Sequence, residues 1–153
     1  MQSFDRDPLI LLNDVARLMR TRFDQRAGTR GMTRAQWVIL ARLARQPGLS
    51  QNEMAAICEV EPITVGRLID RLEARGFVER RSDPTDRRIR RLHLLPPSQP
   101  ILDEIHRYRE ELYETILSGV DDAHRELFVE ALLQIKNNLN AEVALAPQLA
   151  AGG

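Results

Sequence analysis

The stretch GRLIDRLEARGFVERRSDPTDRRIRRLHL, residues 66–94, changes from helical spacing to strand alternation at a single glycine. Apolar residues at i, i+3, i+4 and i+7 predict a helix from about 62 to 75 that Gly76 terminates, with an inward face of Val65, Leu68, Ile69 and Leu72. FVERR and IRRLHLL then flank SDPTD, whose Pro, Asp and Ser favour a turn. The stretch therefore predicts a helix followed at once by a two-stranded hairpin.

Two further short helices are predicted upstream of this stretch. Thr33 is suited to cap a helix that continues to about Arg45. In SQNE, Ser50 and Glu53 have the spacing of a capping box, which opens a helix to about Cys58. Pro62 breaks the chain and suits the first position of the next helix. Three short helices thus precede the hairpin.

Longer helices are predicted on both sides, at about 8–27, 99–118 and 122–144. The first carries apolar residues on two faces, so its own core cannot cover all of them. We expect a second copy of the chain to cover the rest, with apolar contacts that include Leu9, Leu12 and Phe128. The helical regions 8–27 and 99–144 are therefore predicted to make a homodimer.

The predicted fold class is mainly α with a small β-ribbon wing. Residues 30–95 form a winged helix-turn-helix region, and the flanking helices form a dimerisation region, in a chain that we take as one unit over 1–153. In a winged helix the third short helix enters the major groove of DNA, and the ribbon reaches the adjacent minor groove.

The charge distribution supports a local anionic partner. The formal net charge of the 153 residues is zero, yet residues 67–95 carry nine Arg against five acidic residues. Residues 96–153 carry only four basic residues against ten acidic ones. A GC-rich genome accounts for a general preference for Arg over Lys, but it does not explain six arginines on one hairpin. Clustered guanidinium groups suit phosphates and guanine edges. The alternative is a solvated hairpin rim whose arginines form salt bridges with Asp83, Asp86 and Glu79.

Composition also bears on location and excludes some classes of protein. No apolar run approaches the ~20 residues of a membrane span, and the first residues lack the basic segment of a signal peptide. The single cysteine, Cys58, rules out an internal disulfide and suits a reducing cytoplasm. No catalytic triad order, P-loop or dinucleotide glycine motif is present, so we expect neither an enzyme nor a cofactor.

The pattern RLEARGFVERRSDPTDRR resembles the signature of the MarR family, the multiple-antibiotic-resistance type of winged-helix transcriptional regulator. The order of helices over about 8–144 agrees with that family as well. The resemblance implies a homodimer that binds a pseudo-palindromic operator, commonly as a repressor. It also implies release of the DNA when a small ligand, often an aromatic acid or its thioester, binds.

The resemblance assigns DNA contacts to this sequence residue by residue. Thr64 and Arg67 match positions that face the major groove, and Ile63 is suited to a thymine methyl group. Asp86 and Arg88 match the D-x-R pattern of the wing, in which the aspartate orients the arginine toward the minor groove. Arg87 is an alternative to Arg88. Phosphate contacts are expected from Arg75, Ser50, Gln51 and Asn52, although helix capping explains the last three equally well.

The sequence departs from the family pattern in two places. LLPPSQPIL replaces a Thr and Gly after the second strand, which puts the start of the fifth helix in doubt. Position 66 is Gly where many relatives carry a side chain, so a base contact there is reduced or replaced by water.

A ligand site is the least defined feature. Met32 and Trp37 are expected near the junction with the long helices, and Arg17 and Arg20 are able to pair with a carboxylate. The alternative is that Trp37 is a core residue and both arginines are solvated or interfacial.

Three further alternatives stay open. Cys58 would act in a redox-sensing regulator, although its apolar neighbours favour a core role. Asp103, His106 and Glu110 share one helix face and are able to bind a metal, a pattern that helix surfaces often show by chance. A dimeric interaction module with the same fold but without DNA binding is the third.

Overall fold

The computed structural model describes residues 4–150, with only the backbone described for Phe4 and for residues 144–150. After a short 3-10 turn at Phe4–Arg6, the chain forms six α-helices and one two-stranded antiparallel sheet within this range. In chain order the elements are α1 (Pro8–Gly28), α2 (Arg34–Arg45), α3 (Gln51–Cys58), α4 (Pro62–Ala74), β1 (Val78–Ser82), β2 (Arg90–Leu94), α5 (Gln99–Ile116) and α6 (Asp122–Ala150). The predicted fold class is confirmed.

The short helices begin where the sequence predicts. The Ser50 hydroxyl accepts a hydrogen bond from the Glu53 backbone N–H at 3.1 Å, and the Glu53 carboxylate accepts one from the Ser50 N–H at 2.6 Å. Thr33 makes the same reciprocal pair with Gln36. These caps satisfy N–H groups that lack a partner within the helix. They fix the first residues of α2 and α3.

A compact apolar core joins α2, α3, α4 and the hairpin. The predicted inward residues of α4 are confirmed, since Val65, Ile69 and Leu72 are fully buried and Leu68 is partly buried. Helix α4 ends at Ala74, and Gly76, two residues later, has a positive φ of 71° that favours glycine and turns the chain into β1. The remaining fully buried large side chains of this core are Ile39, Leu40, Leu43, Met54, Val78 and Leu92.

The hairpin, called the wing below, pairs Val78 with Leu94 at its base and Ser82 with Arg90 at its far end. The segment before α3, at Gly48 and Leu49, also pairs with this hairpin, which the sequence did not predict. The Leu92 N–H donates to the Leu49 carbonyl at 2.9 Å, and the Gly48 N–H donates to the Leu92 carbonyl at 3.0 Å. The wing is therefore hydrogen-bonded to the segment that leads into α3.

The unusual LLPPSQPIL stretch forms a 3-10 turn at Pro96–Ser98 that leads directly into α5. The Ser98 hydroxyl donates to the Leu95 carbonyl at 2.7 Å, and its side chain is buried. The fifth helix thus begins at Gln99, as predicted, without the usual glycine of the family. The start of α5 therefore agrees with the start at about residue 99 that the sequence predicts.

The chain divides into two compact units, residues 1–107 and 108–153, so the boundary lies inside α5. In the first unit α1 exposes Leu9, Leu11 and Leu18 at 71%, 45% and 56% of their surface. In the second unit every described side chain of α6 except Arg125 is exposed.

Within residues 4–150, none of the helices has the length and apolar character that crossing a membrane requires.

Candidate DNA-binding surface

In the N-terminal half of α4, the residues on its outward face are exposed and do not pack into the core. Ile63 is 66% exposed, and Thr64 and Arg67 are also exposed, whereas Val65 and Ile69 point into the core. Helix periodicity separates these two sets because residues three or four apart share a face. The three predicted base-contacting residues therefore lie together on one accessible face of α4.

The turn of the wing is organised by one carboxylate. Asp83 Oδ1 accepts hydrogen bonds from the Thr85 N–H at 2.8 Å, the Thr85 hydroxyl at 2.7 Å and the Asp86 N–H at 3.0 Å. The Arg91 guanidinium donates to Asp83 Oδ2 at 2.8 Å. The Thr85 hydroxyl and then Arg91 hold the pKa of Asp83 well below its ordinary value. This turn is therefore ordered by charge-assisted bonds of its own residues.

Asp86 and Arg88 form a bidentate pair next to that turn. The Arg88 guanidinium donates to the two Asp86 oxygens at 3.1 and 3.0 Å, and the Arg88 N–H also donates to Oδ1 at 3.0 Å. These bonds lower the pKa of Asp86 and raise the pKa of Arg88. The Arg88 side chain nevertheless remains 90% exposed. The geometry matches an aspartate that orients an accessible arginine, while the neighbouring Arg87 is exposed as well.

Other wing arginines are used inside the chain. Arg80, on β1, contacts α4 and α3. Arg91 pairs with Asp83, with the Glu53 carboxylate at 3.3 Å, and donates to the Gly48 carbonyl at 3.3 Å. The six arginines of the hairpin are thus not equivalent. Sequence reasoning missed this division because most of the partners lie far away along the chain.

The N-terminus of α3 faces the wing across a cleft of about 280 Å³, lined by Ser50, Gln51, Asn52, Glu53 and residues 88–91. Ser50 is occupied as a helix cap, and the bond from its N–H lowers the pKa of Glu53. Gln51 donates to the Pro62 carbonyl at 3.4 Å and accepts from Arg80. Asn52 is exposed. The capping alternative therefore accounts for Ser50, and contacts within the chain account for Gln51.

Arg75 has partners inside the chain. Its guanidinium donates to the Arg30 carbonyl at 3.2 Å and lies 4.7 Å from the centre of the Phe77 ring. This cation–π contact and hydrogen bond fix the end of α4 against the segment after α1. These contacts explain Arg75 without a phosphate.

An unpredicted ion cluster lies between α1 and the start of α5. Glu104 is buried, with 4% of its surface exposed, and it pairs with Arg26 at 3.3 Å and with Arg30. A buried carboxylate requires such partners because desolvation of an unpaired charge is costly. The sequence signal was weak, since Glu104 is one acid among many on α5.

The four residues proposed for a ligand have two different surroundings. Met32 and Trp37 are buried core residues, with 5% and 2% of their surface exposed. Arg17 and Arg20 lie exposed on α1, and Arg17 pairs with Asp14 at 3.3 Å. The surroundings of Trp37 match the core alternative. The structure does not join the four residues into one site.

The remaining sequence hypotheses gain little support. Cys58 is partly buried, and burial raises the pKa of its thiol, which disfavours the reactive thiolate. Within the described residues, no group of three or more His, Cys, Asp or Glu side chains is arranged to hold a metal ion. Asp103 instead accepts a hydrogen bond from Gln99 at 2.8 Å.

Comparisons with known proteins agree with this architecture. Residues 30–89 match the model of the MarR family. The chain is 26% identical over 111 residues to the helix-turn-helix transcriptional regulator YybA of Bacillus subtilis (strain 168), covering 72% of this chain and 74% of YybA. Two solved structures, of the transcriptional regulator PA3341 and of MarR, are 32% and 27% identical, with TM-scores of 0.76 and 0.79. The matches cover 86% and 93% of this chain, and 96% and 97% of those proteins.

An accessible face on α4, an ordered wing with an exposed arginine, and these similarities together define the class. The chain belongs to the MarR family and is a winged-helix, DNA-binding transcriptional regulator. Members of this class are regulators and not enzymes.

Proposed function

We propose that this chain acts as a homodimer that binds a pseudo-palindromic operator in double-stranded DNA. Each chain places α4 in the major groove of one half-site and its wing in the adjacent minor groove. The observation that carries this proposal is the pair of accessible arginines, Arg67 on α4 and Arg88 on the wing. The fold also resembles S. aureus MepR in its DNA complex, at a TM-score of 0.74 and 22% identity.

The two arginines have different roles in this proposal. Arg67 contacts a guanine edge, while Thr64 and Ile63 supply hydroxyl and methyl contacts to neighbouring bases. Arg88, oriented by Asp86, enters a narrow A·T-rich minor groove, where negative potential is strongest. Arg87 contacts the flanking phosphate. Asn52, at the N-terminus of α3, donates to a backbone phosphate on the same side.

The dimer is formed by the regions 8–27 and 99–144. Leu9 and Phe128 are 71% and 44% exposed, and Leu12 is partly exposed. A large apolar area on two long helices suits an obligate homodimer interface, which resembles a domain core cut in half. Two copies also explain why an operator would be pseudo-palindromic.

We further propose repression, relieved by a small acid or acyl-thioester ligand. A dimer over a promoter blocks polymerase, and ligand binding that favours a different spacing of the two wings would weaken DNA binding. Arg17 and Arg20, which are exposed on α1, supply positive charge for the carboxylate of such a ligand. A regulator of this kind acts in the cytoplasm, where the DNA is. Redox sensing through Cys58 is not favoured.

The ligand part is tested separately from DNA binding. A panel of aromatic acids and acyl-thioesters is added to the protein, and melting temperature and operator affinity are measured. A ligand that raises the melting temperature and lowers the operator affinity supports the proposal. If every member of the panel leaves both quantities unchanged, the ligand proposal is wrong.

DNA recognition is tested by fluorescence anisotropy with the duplex upstream of the protein's own gene and with a scrambled duplex, over a salt series. We expect preferential binding of two chains per duplex. With ~6–10 phosphate contacts, affinity should fall roughly 10³- to 10⁵-fold between 50 and 200 mM salt. Absence of binding at low salt would contradict the proposal. Equal weak binding to both duplexes would mean that the operator lies elsewhere, which selection from a random library then decides.

A further inference from the structure

We infer that Arg80 is a positioning residue that locks the helix-turn-helix to the wing and does not itself contact DNA. The inference rests on the proposed function, because it concerns how the two DNA-contacting arginines are held at a fixed separation. It differs from the expectation that all hairpin arginines serve the anionic partner.

The Arg80 side chain contacts two helices, α4 and α3, with one guanidinium group. Its Nη1 lies 2.8 Å from the Asp70 carboxylate and also contacts Glu73, both on α4. Its Nη2 donates to the Gly66 carbonyl of α4 at 3.0 Å. Its Nε donates to the Gln51 side-chain oxygen of α3 at 3.3 Å. All three guanidinium nitrogens are therefore used, from a strand of the wing.

The backbone of the same residue completes the connection. The Arg80 N–H donates to Glu73 Oε1 at 3.1 Å, so Glu73 holds both the main chain and the side chain of β1. Only 20% of the Arg80 side chain is exposed, against 90% for Arg88. Two carboxylates neutralise its charge, which leaves little attraction for a phosphate.

Gly66 provides the room for this arrangement. A Cβ at position 66 would lie 3.0 Å from the Gln51 amide nitrogen, closer than ordinary van der Waals contact. A side chain here would push the Gln51 amide away from α4 and disturb its bond with Arg80. The glycine at a position expected to contact a base thus has a structural reason, which is the close approach of α3 and α4.

The consequence is a fixed distance between two DNA contacts. Arg67 follows Gly66 directly on α4, and Arg88 lies on the same hairpin as Arg80. Adjacent grooves of a duplex have a set spacing, so a shift of the wing relative to α4 would misplace both arginines at once. Lysine cannot replace this residue because it lacks the planar fork that serves several acceptors at fixed angles.

The test compares Arg80→Lys with Arg81→Lys, a matched control on the same strand. Arg81 pairs with Glu79 of its own strand, and its side chain is 56% exposed. The probes are a duplex selected by wild-type protein from a randomised library and its scrambled form. We expect Arg80→Lys to lower the ratio of specific to scrambled affinity by roughly tenfold, the size of one misplaced base contact, while Arg81→Lys changes it less than twofold.

Gln51→Ala provides a second variant in case Arg80→Lys fails to fold. It removes the acceptor of Arg80 Nε, and we expect a smaller fall in the same ratio, about threefold. Because both residues act through one bond, the double variant should lose less than the product of the two single losses. The salt dependence of scrambled-duplex binding should stay unchanged in all of these variants.

Two outcomes would overturn the inference. An Arg80→Lys variant that keeps the wild-type ratio would show that no positioning is needed. Equal losses on both duplexes for Arg80→Gln, with a reduced salt slope, would show a phosphate contact instead. Amide hydrogen exchange without DNA gives an independent measure, since β1 and α4 should exchange faster in Arg80→Lys than in Arg81→Lys. If wild-type protein prefers no duplex, the proposed function fails, and hydrogen exchange alone decides the inference.

Discussion

The surface made by α3, α4 and the wing differs from α6 in how its side chains are used. On the first surface, long charged side chains are tied to other parts of the same chain, such as Arg80 to Gln51 and Arg91 to Glu53. On α6, apolar side chains are exposed along its described length, with Leu127, Leu139 and Val143 at 61%, 57% and 72%. The charged side chains of the first surface find partners within one chain, whereas the apolar side chains of α6 are exposed in it.

This difference indicates two kinds of stability. The surface made by α3, α4 and the wing is held together by hydrogen bonds and a core within one chain. Its stability should therefore be independent of protein concentration. Helix α6 exposes large apolar side chains along its described length, and this exposure is the reason for proposing a homodimer. Substitutions on either surface test this difference.

The largest effect is expected from charges on α6. The double variant Phe128→Asp/Leu132→Asp places carboxylates on one face of the helix, four residues apart, and two copies would bury four of them. We expect self-association to weaken at least ~1000-fold, with DNA binding lost as a result. Sedimentation equilibrium measures the change, and Asn137→Asp on the same helix is the control. A variant that still sediments as a dimer would show that the interface lies elsewhere.

A core change in the other region should behave differently. Leu72 is fully buried on α4, so Leu72→Ala leaves a cavity and should cost about 3 kcal/mol of unfolding free energy. Chemical denaturation should give the same loss at every protein concentration. For the α6 double variant, by contrast, the loss in melting temperature should grow with concentration. A concentration-dependent loss for Leu72→Ala would remove the distinction between the two regions.

A smaller effect is expected from Arg67→Ala, which removes a proposed base contact from a surface that stays folded. Affinity for the selected duplex should fall by about 2 kcal/mol, while affinity for the scrambled duplex changes little. Arg71→Ala, one turn further along the exposed side of α4, is the matched control. Equal losses on the two duplexes would assign Arg67 to a phosphate and not to a base.

Loss of the Asp86 charge that orients Arg88 should lower DNA affinity less than Arg67→Ala does. Asp86→Asn keeps the side-chain shape but loses the charge of the bidentate pair, so Arg88 samples more conformations. Affinity should fall about threefold, and most for duplexes with A·T-rich flanks. Arg88→Ala should lower affinity more than Asp86→Asn does. An Asp86→Asn variant that binds like wild type would mean that the pair does not prepare Arg88 for DNA.

The smallest effect is on acid stability. The pKa of Asp83 is depressed in the folded protein, so its bonds stabilise the wing fully above its ordinary value of 3.8. That stabilisation is lost as pH falls through the lower folded value. We expect the Asp83 carboxyl signal in NMR to titrate below 3.8, and Asp83→Asn to reduce the pH dependence of wing stability. Titration at or above 3.8 would contradict the role of Thr85 and Arg91.

Several features of the fold were predictable because they depend on near neighbours in the sequence. The Ser50–Glu53 cap, the start of α4 at Pro62 and the turn at Gly76 that follows this helix each involve contacts within a few residues. The pairing of Asp86 with Arg88 spans two positions and was also predicted. The inward face of α4 followed from apolar spacing alone.

Other features depended on contacts that no local pattern contains. The partners of Arg80 lie 7, 10, 14 and 29 positions away, and Glu104 pairs with arginines on or near a different helix. Arg75 was expected on a phosphate, yet its contacts with Arg30 and Phe77 depend on how α4 packs. Sequence reasoning named Asp83, Asp86 and Glu79 as alternative partners of the hairpin arginines, because these acids lie nearby in the sequence. It could not find the partners on α3 and α4, because their proximity depends on tertiary packing.

The order of helices and strands, the inward face of α4 and the position of the basic hairpin follow from the sequence, since capping, periodicity and charge act over short distances. Which arginines are accessible depends on the folded chain. Burial and ion pairing depend on three-dimensional neighbours, and these neighbours hold Arg80 and Arg91 while Arg88 remains exposed. The close packing of α3 against α4 likewise explains why position 66 is a glycine.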